Sequence, residues 1–97
     1  MAELPVLDDE VIDRALRALA WSHTADHLER TYEGKGFVAA MAFVNLVAWL
    51  AERANHHPDI DIRWNRVTLR LSTHSAGGIT QADLDLARQI DEVTASN

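Results

Sequence analysis

His56 and His57 stand side by side, and His74 follows seventeen residues after the second. An imidazole titrates near neutral pH and carries a donor and an acceptor on one ring, so it can give or take a proton there. Glu52 lies four residues before His56, one helical turn away, where a carboxylate can orient a ring or stabilise its cation. Two imidazoles in separate environments are what moving protons between two positions of one small molecule requires.

Plainer readings compete at each position. A histidine at a helix end often serves only as a C-terminal cap or a surface residue. Asp83 closes a Thr80-Gln81-Ala82-Asp83 capping box and so has a structural reason to be present. Three histidines could also hold a catalytic zinc, although adjacent histidines point apart in most backbones and no HExxH-like spacing occurs. Ser72 and Ser75 flank His74 without a G-x-S-x-G motif, so neither reads as a nucleophile. His23 and His27 read as strand and surface residues.

The elements that must position these groups follow from hydrophobic periodicity. Asp8-Asp9-Glu10 opens a first helix over about 8–20, with Val11, Ile12, Ala15, Leu16 and Leu19 on one stripe. Trp21 to Tyr32 alternates weakly and predicts two short strands around Thr24-Ala25-Asp26. A second helix runs from about Gly36 to Ala54 and is apolar nearly all round. Such a helix is covered on two sides, here by the sheet and by another subunit. Pro58 is expected to end it and to push His57 out of the helical region.

Residues 60–64 and 67–72 alternate with period two, and Asn65-Arg66 reads as the two-residue loop between them. A loop from Thr73 to Gly78 leads to a third helix over about 80–94, with Leu84, Ala87, Ile90 and Val93 inward. The order α-β-β-α-β-β-α predicts an α+β fold: a four-stranded antiparallel sheet with three helices packed on one face, in a single domain spanning 1–97.

Composition narrows the function classes. A net charge of −6 with scattered basic residues argues against nucleic-acid binding. With no cysteine, disulfides and thiolate metal sites are excluded. The first ten residues lack a basic, apolar leader, and the apolar run from Gly36 to Ala51 is interrupted by Asn45 and short for a bilayer span. No membrane association and a cytoplasmic location are the expectation.

The spacing Glu52-x3-His56-His57-Pro58, then Trp64, His74 and Asp83, resembles that of the pterin-4a-carbinolamine dehydratases, also called 4a-hydroxytetrahydrobiopterin dehydratases. The likeness extends to Trp21, Asn65-Arg66-Val67, Leu71-Ser72-Thr73-His74 and the last helix, nearly the whole chain. It departs where Asn55 stands in place of a familiar Asp and Trp64 in place of a common Tyr.

The resemblance implies dehydration of 4a-hydroxytetrahydropterin to quinonoid dihydropterin and water, with no cofactor. That reaction recycles the pterin of aromatic amino acid hydroxylases. His56 and His74 become the acid and base pair, His57 supports them, and Glu52 and Asp83 orient them. Asn55, Pro58, Trp64, Ser72, Thr73 and Ser75 join the histidines as substrate contacts. A homodimer or homotetramer through the second helix and a sheet edge is expected. The rival is an oligomeric interaction module with weak or vestigial dehydratase activity.

Overall fold

The computed structural model of the chain describes residues 4–95. Its elements are α1 (Asp9–Leu16), β1 (Ser22–Thr24), β2 (His27–Glu33), α2 (Phe37–Ala54), β3 (Asp59–Arg63), β4 (Arg66–Leu71) and α3 (Gln81–Ala95). The strands form one antiparallel sheet in the order β1-β2-β4-β3, so the central pair joins strands on either side of α2. This is the α+β architecture and element order expected from the sequence.

Period-two alternation decides the two faces of the sheet. Leu28, Val67, Leu69 and Leu71 are fully buried and face the helices. The other face is polar: Arg70 Nε donates to Glu29 Oε1 at 3.1 Å, and the Thr31 and Thr68 hydroxyls meet at 3.0 Å. Against the apolar face lie Ile12 of α1, Phe43, Val47 and Leu50 of α2, and Leu84, Ala87 and Ile90 of α3.

Two expected boundaries shift. The first helix stops at Leu16 instead of Ala20, because Arg17, Ala18 and Leu19 donate to carbonyls three residues back and wind a tighter turn. That turn delivers the Ala20 N–H to Asp91 Oδ2 at 2.7 Å. The β3–β4 loop is Trp64-Asn65, not Asn65-Arg66, since Arg63 pairs with Arg66. Asn65 is fixed there by Gly34: its Nδ2 donates to the Gly34 carbonyl at 2.9 Å, and its own carbonyl accepts from Gly34 N–H at 2.8 Å. Trp64 is left with the positive φ of 52° and a largely exposed ring.

Helix α2 is 18 residues long with a mean hydropathy of 1.5, enough by length and composition alone to cross a bilayer. Its Ala40, Phe43, Val47, Leu50 and Ala51 instead pack into the core against the sheet. The opposite side presents Val38, 83% exposed, and Trp49, 59% exposed, with Arg53 stacked over the Trp49 ring at 4.6 Å. The sequence expectation of a helix apolar on two sides is therefore met, with one side uncovered within this chain.

Candidate functional site

The end of α2 sets the direction of the first two histidines. Asn55 adopts the left-handed conformation, φ 50° and ψ 42°. Asn is among the few residues that take it at low cost. The Asn55 N–H then donates to Glu52 O at 3.2 Å and the His56 N–H to Ala51 O at 3.1 Å, which closes the helix in a Schellman motif. The helix thus ends at Ala54, four residues before Pro58, and Asn55, not Pro58, is what terminates it.

This reversal sends the two rings apart. His56 Nε2 meets Asp83 Oδ1 at 2.5 Å, while His57 Nε2 meets Glu52 Oε1 at 2.9 Å. Glu52 was expected to serve His56. It serves His57, because the left-handed residue breaks the helical spacing that would have stacked His56 on Glu52. The two pairs also differ in environment: Asp83 is fully buried, whereas Glu52 and His57 are exposed.

Asp83 has the capping role anticipated for it. The Thr80 N–H donates to its Oδ2 at 2.9 Å, and the Thr80 hydroxyl accepts from the Ala82 N–H at 3.2 Å. Placing Asp83 at the buried start of α3 also brings it under His56. The cap and the contact with the His56 ring are made by one side chain.

His74 sits in the loop that follows β4. The loop is closed by a Thr73 N–H bond to Gly78 O at 2.8 Å, and Gly77 takes a φ of 80° that favours glycine. His74 is exposed, and among the described residues its ring has no protein hydrogen-bond partner.

The two segments face each other across a polar cleft of about 270 Å³. Asn55, His56 and His57 form one wall; Ser72, Thr73, His74 and Ser75 form the other. The three histidines are thus brought together, with Asp83 behind one and Glu52 beside another. Two residues expected to contact substrate do not line this cleft. Pro58 lies just beyond the His56-His57 wall. Trp64 is in the loop before β4 and the cleft lies beyond the far end of that strand, roughly 20 Å or more away. Thr73 lines the cleft, but its hydroxyl turns inward to donate to Asp83 Oδ2 at 2.8 Å. Thr80, fully buried behind Asp83, was read from the sequence only as a helix cap.

The family model for pterin 4 alpha carbinolamine dehydratase matches residues 5–93. The chain belongs to that family. Within the pterin 4 alpha carbinolamine dehydratase family, it is 57% identical over 89 residues to a Nocardia farcinica protein named as a candidate pterin-4-alpha-carbinolamine dehydratase, covering 91% of this chain and 94% of that one. A similarly named Thermomicrobium roseum protein is 54% identical over 90 residues, covering 92% and 97%. Among solved structures, the transcriptional coactivator/pterin dehydratase from Brucella melitensis superposes with a TM-score of 0.85 at 33% identity, covering 91% of this chain and 97% of that one. A pterin dehydratase-like protein described as a RuBisCO assembly factor in the alpha-carboxysome has a TM-score of 0.63 at 20% identity, covering 81% and 92%, and shares the fold. The fold of this dehydratase family therefore also occurs in a protein described by an assembly role.

Proposed function

We propose that the protein dehydrates a 4a-hydroxytetrahydropterin to the quinonoid dihydropterin and water, with His56 and His74 as the acid and base. The observation that carries this reading is the convergence of three imidazoles on one polar cleft, one of them held by a buried carboxylate. The reaction breaks the C4a–O bond and forms a C4a=N5 double bond. One group gives a proton to the departing hydroxyl while another removes the N5 proton. No net proton is consumed.

The hydrogen bonds favour a division of labour. Asp83 Oδ2 already accepts two donors, so the proton in the Oδ1 contact is given by His56 Nε2. A neutral His56 then carries its acceptor at Nδ1, which makes it the base for N5. The imidazolium formed is stabilised by the Asp83 carboxylate at its other nitrogen. His74, whose ring has no hydrogen-bond partner among the described residues, serves as the acid that releases water. His57, anchored to Glu52, contributes a polar contact together with Asn55, Ser72 and Ser75. The cleft is at the small end for ligand sites, which suits a compact polar heterocycle.

Stopped-flow mixing of the protein with a freshly generated 4a-hydroxytetrahydropterin is the direct test. Accelerated appearance of the quinonoid product is the expected result, and a rate equal to the uncatalysed one would overturn the reading. Turnover of biopterin and other side-chain variants in the same assay would identify the preferred pterin.

The exposed apolar side of α2 supports a homodimer or homotetramer, with the β3 edge, which exposes Ile60 and Ile62, as a second contact. Sedimentation at micromolar concentration should give a mass above that of one chain. Replacing Val38 and Trp49 together by glutamate should lower that mass, because both side chains would be charged on the contact face. A wild-type monomer would contradict this part of the proposal.

A further inference from the structure

Behind His56 the polar groups are arranged more elaborately than a helix cap needs. A capping box requires only Thr80 and Asp83, and both are present with the expected bonds. Yet a second hydroxyl, from Thr73 in the loop after β4, also reaches Asp83 Oδ2 at 2.8 Å. The same Thr73 oxygen lies 2.8 Å from the Thr80 hydroxyl oxygen.

The direction of every bond in this set follows from counting protons. A threonine hydroxyl has one proton to give. Thr73 gives its proton to Asp83, so Thr80 must donate in the Thr80–Thr73 contact. Thr80 in turn accepts from the Ala82 N–H in the first turn of α3. The result is a one-way chain from Ala82 N–H to Thr80, to Thr73 and to Asp83 Oδ2, with His56 on the remaining oxygen. Thr80 and Asp83 have no exposed surface, so no water competes for these bonds.

Thr73 also governs the second histidine. It immediately precedes His74, its N–H closes the loop onto Gly78, and its carbonyl accepts the N–H groups of Ala76 and Gly77, each at 3.0 Å. All of its polar groups are thus engaged within the protein, leaving its hydroxyl no proton for a ligand. One residue joins the loop that carries His74 to the carboxylate that holds His56.

We infer that Thr73 and Thr80 are positioning residues, whose hydroxyl pair fixes the ring orientation of His56 through Asp83 and its placement relative to His74. The inference deepens the proposed dehydration and rests on it for its kinetic consequence. Its structural consequence is independent of any activity: the His56 ring should be held as the Nε2–H tautomer with a slowly exchanging proton.

The test compares Thr73→Val, Thr73→Ser and Thr80→Val with the wild type. Nitrogen-15 NMR of the imidazoles is expected to show the protected Nε2–H of His56 in wild type and Thr73→Ser, and its loss or rapid exchange in the two valine variants. In the dehydration assay, kcat should fall about tenfold to a hundredfold in Thr73→Val with KM little changed, and Thr73→Ser should recover most of it. Thr73→Ala gives the same reading if Thr73→Val does not fold. A protected Nε2–H signal in a folded Thr73 variant lacking the hydroxyl overturns the inference. So does a rise in KM at unchanged kcat, which would place the hydroxyl on the substrate. Absence of dehydration in wild type would sink the proposed reaction alone, because the NMR comparison still decides the positioning role.

Discussion

Replacing His56 by alanine should lower kcat for carbinolamine dehydration by about 10²–10⁴-fold, the usual contribution of a positioned acid or base. The loss should fall on kcat more than on KM, since Asn55, His57, Ser72 and Ser75 still line the cleft. The fold should survive. His56 borders the open cleft, so water can enter the vacated space and satisfy Asp83 Oδ1, while Oδ2 keeps both of its donors. A stability loss of about 1–2 kcal/mol is the expected scale for that exchange. His74→Ala should produce a comparable kinetic loss with almost no change in stability, because the ring is exposed and makes no protein hydrogen bond among the described residues. Stopped-flow kinetics and urea unfolding measured on the same preparations separate the two effects. Either variant retaining the full rate would remove that histidine from the mechanism.

The second large effect concerns stability. Asp91 on α3 gathers three groups from two other parts of the chain. Its Oδ1 accepts from Trp21 Nε1 at 2.9 Å and from Arg30 Nη1 at 2.7 Å, and its Oδ2 accepts from the Ala20 N–H. Arg30 also donates to Thr94 at 3.1 Å and lies over the Phe43 ring. Both charged side chains are mostly buried. Asp91→Ala would leave the guanidinium without its counter-charge and two further donors without an acceptor. A loss of about 2–4 kcal/mol is expected, a large share of the roughly 5–15 kcal/mol that holds a small domain together. Thermal unfolding should shift down by roughly 10–25 °C. Glu92→Ala, one residue away and exposed, is the control and should change little. A drop below about 1 kcal/mol for Asp91→Ala would show that the network is solvated in solution.

What could be read from the sequence was mostly local. The capping box at Thr80–Asp83 and the two faces of α2 needed only spacing within one helix, and both hold in the structure. The element order followed because each hairpin is local and the two are separated by a single helix, whereas the pairing of β2 with β4 at the centre of the sheet joins distant strands and was not legible. The misreadings share a cause. Asn65 is placed by Gly34, 31 residues earlier, so the hairpin loop could not be located from its own sequence. Glu52 and His56 looked like a helical pair until one left-handed residue, Asn55, intervened. The Trp21–Arg30–Asp91 network joins residues up to 70 positions apart and leaves no periodic trace. Likewise, Thr73 and Thr80 gave no sign that they share one carboxylate.

Asp83 performs two tasks with two oxygens: one closes the first turn of α3, and the other holds an imidazole. Order at the cleft is therefore only as durable as that turn. Each fraying of the helix start, an opening far less costly than global unfolding, releases His56 at the same moment. Substitutions that loosen or tighten the start of α3 would thus change the fraction of time the ring is aligned. At this one residue, local stability and the proposed turnover should vary together, and neither should be adjustable alone.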